Sequence, residues 1–271
     1  MQSLVSKIAS KLAFFPPSPP SYAVQTQNDG TGELYIQPRM PNLRKVLDCQ
    51  VLRLDTKRGT NIVAAYIPFR KDTKLTILFS HGNAVDLALM LPFYREIARE
   101  LQVNLLGYDY SGYGASTGAP SVLNTFADIE TCLAWLLQQG KQPKDIILYG
   151  QSVGSGPTCH LAAKTPDLGG VVLHSPLATG MRVMNPTWHY WPTFLDVYPN
   201  IRLVTKIEAP LLILHGVKDD VVDISAGRAL HKAAKNPVDP LWAENCDHQN
   251  VELSQDYLPK LRSFTRKVMG L

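Results

Sequence analysis

Five short, almost wholly apolar runs recur along this chain, and segments with helical spacing of apolar residues separate most of them. An uninterrupted apolar run of this length is typical of a strand that is covered on both faces. Such strands are joined through helices when the sheet is parallel. We therefore predict an α/β fold with a mainly parallel sheet and helices on both faces. The runs lie at 75–79, 103–109, 145–149, 170–174 and 210–215.

Local signals place further elements around these runs. The segments 51–54 and 61–67 flank a turn that contains Gly59, which predicts a hairpin ahead of the first run. Asp86 is placed to cap the helix that follows the first run. An amphipathic helix should close the chain and bury Leu253, Tyr257, Leu258, Leu261 and Phe264.

The third run leads into Gly150, Ser152 and Gly154, and a helical pattern follows at 157–163. Gly-x-Ser-x-Gly between a strand and a helix is the nucleophile-elbow pattern. Glycines are required there because side chains beside the serine would collide in so tight a turn. The spacing also occurs in ordinary glycine-rich turns, so a catalytic interpretation depends on finding partners for Ser152.

A catalytic serine needs a base, and the base needs an orienting carboxylate. In a parallel sheet these groups must follow the carboxyl ends of strands, at the same edge as the serine. Asp219 and Asp220 directly follow the run at 210–215, and Asp219 has the strand-Gly-x-x-Asp position that is usual for the acid. Asp220 remains an alternative, and Asp223 is a weaker one. Either could instead be a solvated charge or the cap of a helix that begins near Ser225.

His248 follows the expected last strand at 241–243 and precedes the terminal helix, which makes it the predicted base. The chain order Ser, Asp, His is that of the α/β-hydrolase fold. The backbone N–H of Val153 is one predicted donor to the oxyanion, and that of Asn83, at the next strand-to-helix turn, is the second. The alternative for Asn83 is a turn without a catalytic role. Four other histidines are predicted to be structural: His160, His174, His215 and His231. The role of His189 is undecided.

The composition excludes several classes of protein. With 271 residues, of which 45% are hydrophobic, the chain can fold as one α/β domain, which we place at 43–271. The net charge of +4 is scattered, so no nucleic-acid partner is expected. The four cysteines lack the spacing of metal ligands, so we expect reduced thiols, a cytoplasmic location, and neither metal nor cofactor. No run is long enough to cross a membrane. A monomer is assumed.

The tail at 1–28 differs from the rest because it contains no acidic residue and has a proline-rich break at 15–20. Its apolar residues Leu4, Ile8, Leu12 and Phe15 fall on one side of a helix, with two lysines beside them. Such a helix can lie in a membrane interface, which would make the protein peripheral at the plasma membrane or an endomembrane. A frayed tail, or a helix docked on the domain, is the alternative.

A short cap segment is expected at about 181–207, between the fourth and fifth runs. Its flexible methionines and aromatic residues would suit an acyl chain, although a cap packed on the core fits equally. Because the segment is short, the site should admit bulky acyl donors such as lipidated peptides. The predicted substrate-binding residues are Met181, Met184, Trp188 and Trp191.

With these features together, the chain resembles the alpha/beta-hydrolase domain-containing protein 17 family, particularly its plant-type members. The resemblance is carried by the segments 80–86, 106–114, 145–157 and 172–176. It implies a serine hydrolase that removes palmitate from S-acylated cysteines of membrane-bound proteins, with Ser152, Asp219 and His248 at matching positions. It also implies an acylated N-terminal cysteine cluster, but this chain has no cysteine before Cys49, so we expect no anchoring by that route.

Other functions remain open at the level of the sequence. A general carboxylesterase, a lipase acting on lipid esters or a serine peptidase would use the same residues, because the fold does not fix the bond that is attacked. A scaffold that binds acyl groups without catalysis is the alternative from another class. The set of serine, acid, base and oxyanion turn favours an enzyme.

Overall fold

The computed structural model describes residues 14–27, 30–39, 49–180 and 197–271. Two sheets form the framework of these residues. The first is a hairpin of β1 (Tyr22–Thr26) and β2 (Leu34–Pro38). The second has eight strands: β3 (Gln50–Asp55), β4 (Asn61–Ile67), β5 (Thr76–Ser80), β6 (Asn104–Tyr108), β7 (Ile146–Gln151), β8 (Gly170–His174), β9 (Leu211–Gly216) and β10 (Leu241–Ala243).

The strand order in the large sheet is β10-β9-β8-β7-β5-β6-β4-β3. All strands from β10 to β6 are parallel to their neighbours, whereas β4 pairs antiparallel with β6 and with β3. The predictions of a mainly parallel sheet and of a hairpin at 51–67 are therefore confirmed. Parallel pairing brings the carboxyl ends of β5, β7, β9 and β10 to one edge of the sheet, where the predicted site residues follow them.

Helices cover both faces of the large sheet, as predicted. Within the described residues they are α1 (Leu87–Leu101), α2 (Val122–Gln138), α3 (Ser155–Ala162), α4 (Asn200–Leu203), α5 (Ile224–Ala233) and α6 (Tyr257–Val268). Within β7, Ile147 and Tyr149 pack in the same core as α1 and α6. Ile146 and Leu148 point the other way and pack with α2, α3 and α5. The period-two alternation of a strand thus divides the apolar residues between two cores.

The start of α1 agrees with the prediction from the sequence, whereas the start of α6 does not. Asp86 caps α1 as expected, because its carboxylate accepts from the Leu89 N–H. The closing helix begins at Tyr257, later than predicted, and Leu253 lies in the short 3₁₀ turn before it with 81% of its surface exposed. Tyr257, Leu261 and Phe264 are buried as predicted. The apolar periodicity ran on across a break in the helix, so Leu253 was wrongly included.

The folded body extends further toward the N-terminus than the predicted start at residue 43. Tyr22 of β1 and Ile36 of β2 are buried in the same core as α1, and Phe14 is also buried. The proline-rich composition around residues 15–20 concealed this packing, because the contacts are made with residues far away in the chain. Residues 14–22 are called the strap below, since they run from Phe14 near the site to the first strand.

Several predictions concern residues outside the described ranges. The apolar stripe of Leu4, Ile8 and Leu12 lies there, as do the predicted substrate-binding residues Met181, Met184, Trp188 and Trp191. The described part of the cap segment, 197–207, contains α4 and a 3₁₀ turn at Val204–Lys206. None of the helices in the described ranges is long and apolar enough to traverse a bilayer.

Candidate active site

Ser152 stands on the turn between β7 and α3 with a left-handed backbone φ of 51°. This conformation is unfavourable for a residue with a side chain, and it persists only where the surroundings enforce it. Gly154 shows how tightly the turn is held, because a Cβ built on it would lie 2.2 Å from the carbonyl oxygen of Ser80 at the end of β5. The elbow therefore packs directly against the neighbouring strand, and the Ser152 hydroxyl is held above the sheet edge.

Asp219 follows β9 and lies buried next to His248. One carboxylate oxygen accepts from the backbone N–H groups of Val221 and Val222, at 3.0 and 2.7 Å. The other accepts from His248 Nδ1 at 2.8 Å and lies 3.2 Å from His215 Nε2. Burial opposes ionisation, but the hydrogen bonds from His215, His248 and Val222 outweigh it and hold the pKa of Asp219 well below its usual range. The carboxylate is therefore ionised and fully hydrogen-bonded.

The two alternative acids lie elsewhere. Asp220 is exposed to solvent. Asp223 is also exposed, and its carboxylate accepts from the Ser225 N–H at 2.9 Å as the cap of α5. Of the three carboxylates on this loop, the structure brings Asp219 to His248.

His248 connects the acid to the serine. Its Nδ1 lies 2.8 Å from Asp219 Oδ2, and its Nε2 lies 3.0 Å from Ser152 Oγ. The loop that carries His248 is fastened to the loop that carries Asp219, since the Lys218 N–H donates to the carbonyl of Cys246 at 2.9 Å. The three side chains that the sequence singled out, from positions 67 and 29 residues apart, thus form one hydrogen-bonded chain.

His215 is closer to the site than the sequence suggested. Predicted as structural, it is buried beneath Asp219, and its Nε2 lies 2.8 Å from the carbonyl oxygen of Val222 as well as 3.2 Å from the carboxylate. It fixes the acid loop from below. The signal was present in the sequence, because His215 ends the strand that leads to Asp219, but the i, i+4 contact depends on how the loop turns back.

His160, His174 and His231 make contacts outside the chain of Asp219, His248 and Ser152. His160 stacks on Phe126 with ring centroids 3.7 Å apart, and His231 lies 3.1 Å from the carbonyl of Val238. His174 is fully buried, and burial lowers its pKa to about 3, so it is neutral. The undecided His189 lies outside the described residues.

The predicted oxyanion donors face the same space as Ser152. Asn83 and Val153 both line the cavity into which Ser152 and His248 open. The side-chain oxygen of Asn83 is held by the hydroxyl of Tyr113 at 2.7 Å and by the backbone N–H of Phe15 at 2.9 Å. The predicted donor is the backbone N–H of Asn83 and not this side chain. That role stays a prediction.

The cavity beside Ser152 has a volume of about 740 Å³. Its walls come from segments that are far apart in the chain, and most of the side chains are apolar: Phe15, Val85, Met90, Phe93, Leu177, Val197, Tyr198, Val221 and Val222. The polar residues Gln151, Gln249 and Glu252 line the rest. Gly180 and Val197, which precede and follow the undescribed part of the cap, also border the cavity and are joined by a 2.6 Å backbone hydrogen bond. Of these walls, only the cap segment was predicted from the sequence, and it contributes Val197 and Tyr198.

The four cysteines of the chain are free thiols. Cys132 and Cys159 are buried and Cys49 and Cys246 half-buried, and no disulfide joins them. Within the described ranges, no three His, Cys, Asp or Glu side chains are grouped so as to hold a metal ion.

The sheet, the elbow and the placement of the acid and base define a class of protein. A family model described as the alpha/beta hydrolase fold matches residues 76–201. The esterase Pf2001 of Pyrococcus furiosus superposes with a TM-score of 0.67 at 16% identity, over 81% of this chain and 92% of that chain. The chain is an α/β hydrolase, as the sequence predicted.

Sequence comparison narrows the class to a family. Alpha/beta hydrolase domain-containing protein 17B of Homo sapiens is 42% identical over 95% of this chain and 90% of its own length. Alpha/beta hydrolase domain-containing protein 17C of Xenopus tropicalis is 38% identical over 96% of this chain and 89% of its own. The chain belongs to the alpha/beta hydrolase domain-containing protein 17 family, which confirms the resemblance drawn from the sequence.

Proposed function

We propose that this protein is a serine hydrolase in which Ser152 is the nucleophile, His248 the general base and acid, and Asp219 the orienting carboxylate. The observation that carries the proposal is the continuous chain of 2.8 and 3.0 Å contacts from Asp219 through His248 to Ser152. With the proton of Nδ1 directed at the ionised Asp219, the Nε2 atom is left as the acceptor for the serine proton. The oriented imidazole can therefore activate a hydroxyl that is otherwise a weak nucleophile.

The reaction proceeds in two halves. Ser152 Oγ attacks the acyl carbonyl carbon while its proton passes to His248 Nε2, and the carbonyl oxygen becomes an oxyanion that the N–H groups of Val153 and Asn83 stabilise. The intermediate then expels the thiolate or alkoxide, which takes the proton from His248. Water, deprotonated by His248, attacks the acyl-serine ester, and a second intermediate collapses to release the carboxylic acid and return the proton to Ser152.

We further propose that the acyl group is a long alkyl chain bound as a thioester to a protein cysteine. The cavity that meets Ser152 is apolar over most of its surface, and 740 Å³ is ample for an extended hydrocarbon chain. The leaving group must depart next to His248, where the polar residues Gln249 and Glu252 border the cavity. An apolar wall for the chain and a polar wall for a peptide support depalmitoylation, which the family resemblance also implies.

A comparison of matched substrates tests this proposal. One peptide is prepared with palmitate attached through cysteine, through serine and through lysine, so that only the thioester, ester or amide bond differs. We expect kcat/KM to be highest for the thioester and to fall when palmitoyl is replaced by acetyl. Preference for the ester or for the amide would instead identify a carboxylesterase or a peptidase. Ser152→Ala should abolish hydrolysis of all three peptides.

The membrane association expected for the N-terminal tail, with its apolar stripe of Leu4, Ile8, Leu12 and Phe15, is also a proposal. Deletion of residues 1–13, which leaves the strap in place, should reduce co-sedimentation with anionic lipid vesicles while activity on a water-soluble ester is retained. Unchanged co-sedimentation would contradict the anchoring role.

A further inference from the structure

The turn that carries Asn83 has an unfavourable backbone conformation. Ala84 has a φ of 58°, in the left-handed region that residues with a side chain rarely adopt. This turn follows β5 and leads into α1, so its conformation sets the direction of the Asn83 N–H relative to Ser152. A strained turn persists only when contacts around it fix it in place.

The strap supplies those contacts at both ends of the turn. At one end, the Phe15 N–H donates to the side-chain oxygen of Asn83 at 2.9 Å. At the other, the Ser21 N–H donates to Asp86 Oδ2 at 2.7 Å, and the Ser21 hydroxyl donates to the second oxygen of the same carboxylate. Asp86 is fully buried and caps α1, so the strap brackets the turn from Asn83 to the start of the helix.

The strap is itself held in place by a buried aromatic anchor. Phe14 is only 5% exposed and packs edge-on against two tyrosines, with ring centroids 6.5 Å from Tyr113 and 6.4 Å from Tyr198. The hydroxyl of Tyr113 lies 2.7 Å from Asn83 Oδ1 and also 3.1 Å from the Phe15 N–H. Tyr113 thus packs against Phe14 with its ring and bonds to Asn83 with its hydroxyl.

Phe15 gives the strap a second contact with the site. Its side chain is 56% exposed, which is unusual for a phenylalanine next to a buried anchor, and it lines the cavity that meets Ser152. An exposed aromatic ring at the edge of an apolar cavity gains burial when an alkyl chain fills the cavity.

We propose that the strap is part of the active site: its Phe15 N–H and the Tyr113 hydroxyl position the Asn83 turn as an oxyanion donor, and the Phe15 ring forms one wall for the acyl chain. This proposal rests on the proposed hydrolase function. The Phe15 N–H and the Tyr113 hydroxyl are positioning groups, because they act on the chemistry through Asn83, whereas the Phe15 ring contacts the acyl chain.

Two substitutions at position 15 separate the backbone contact from the ring. Phe15→Ala keeps the N–H and removes the ring, so it should raise KM for a palmitoyl substrate but not for an acetyl one, with kcat within about twofold of the wild type. Phe15→Pro removes the ring and the N–H together. It should lower kcat by about a further tenfold on both substrates, because misplacing an oxyanion donor costs stabilisation only in the transition state.

Tyr113→Phe tests the same role without altering the strap backbone. It should lower kcat about fivefold with KM unchanged, and weaken binding of a trifluoromethyl ketone analogue of the tetrahedral intermediate by the same factor. Tyr257→Phe is the matched control, because it also removes a buried phenol hydroxyl, one that pairs with Tyr149 at 2.7 Å. The control should show a similar fall in melting temperature without the change in kcat.

The proposal is overturned if Phe15→Pro matches Phe15→Ala in kcat, or if Tyr113→Phe matches Tyr257→Phe in both kcat and affinity for the analogue. Should Phe15→Pro fail to fold, the Tyr113→Phe comparison decides. Labelling with a fluorophosphonate probe, together with the activity of Ser152→Ala, distinguishes failure of the strap proposal from failure of the hydrolase proposal. If the probe labels the wild type but not Ser152→Ala while the strap variants keep full kcat, only the strap proposal is wrong. If Ser152→Ala keeps its activity, the hydrolase proposal itself is wrong.

Discussion

Asp219→Asn should inactivate the enzyme by moving the imidazole proton of His248 from Nδ1 to Nε2. The carboxylate oxygen that accepts from the Val221 and Val222 N–H groups must remain an acceptor, so the amide of asparagine is forced to place its oxygen there. Its NH₂ group then faces His248 Nδ1, 2.8 Å away, which must accept a hydrogen bond and give up its proton. The proton moves to Nε2, and His248 can no longer accept the proton of Ser152.

The size of the effect follows from what is lost. A wrong imidazole tautomer removes general-base catalysis, worth about 10²–10⁴ in rate, and the charge-assisted hydrogen bond that stabilises the imidazolium, worth about 1.5–3 kcal/mol. We expect kcat to fall by about 10⁴, or about 5.5 kcal/mol of transition-state stabilisation, with KM changed little. The NH₂ group would also face the Nε2 of His215, 3.2 Å away, so some loss of thermal stability should accompany the loss of activity.

The assay measures kcat on a thioester at several pH values for Asp219→Asn and for Asp220→Asn. The second variant removes the same charge one residue away, from an exposed side chain, and should keep kcat within about twofold. Because the pKa of Asp219 lies well below its usual range, its ionisation should not shape the pH profile of the wild type near neutrality. A folded Asp219→Asn with more than about a tenth of wild-type kcat, or an equal loss in Asp220→Asn, would refute this assignment of the acid.

Three further outcomes are expected. Gly154→Ala should lower the free energy of unfolding by about 1–3 kcal/mol in urea titrations, together with kcat, because the new methyl would meet the Ser80 carbonyl oxygen at 2.2 Å. Unchanged values of both would show that the elbow can relax. Burial raises the pKa of Asp128 to about 7, so the contribution of Asp128 to the free energy of unfolding should decrease by up to about 4 kcal/mol as pH rises from about 4 to about 7, and Asp128→Asn should remove this contribution. If the unfolding free energy of the wild type minus that of Asp128→Asn instead increased as pH rises, the raised pKa of Asp128 would be contradicted. Val221→Trp should reduce kcat/KM for palmitoyl more than for acetyl substrates by filling the cavity, whereas Leu123→Trp, at an exposed site outside the cavity lining, should not.

The sequence predicted those parts of the site that follow strands directly. Ser152, Asp219 and His248 each come just after a strand of the sheet, and parallel pairing places the ends of those strands at one edge. Local chain signals and one rule of topology were therefore sufficient to bring them together. The choice of Asp219 over Asp220 also followed from spacing, and Asp219 is the acid whose carboxylate lies 2.8 Å from His248 Nδ1.

What the sequence did not predict depends on contacts between distant parts of the chain. The strap reaches Asn83 across 68 residues, and no periodicity near Phe15 reports such a contact. Phe15 was assigned to an apolar stripe facing a membrane, whereas its ring lines the cavity. His215 contacts Asp219 because the loop after β9 turns back over the end of its strand. Leu253 lies before the closing helix, because the spacing of apolar residues does not show where the helical hydrogen bonds are interrupted.

In the proposed mechanism, Ser152 forms an acyl-enzyme with the assistance of His248. Rapid mixing with a palmitoyl-cysteine peptide, an acid quench and mass analysis of proteolytic fragments test this most directly. We expect a transient palmitoyl adduct on the proteolytic fragment that contains Ser152, and no adduct and no hydrolysis for Ser152→Ala. Hydrolysis that persists in Ser152→Ala, or an acyl group found on another residue, would contradict it.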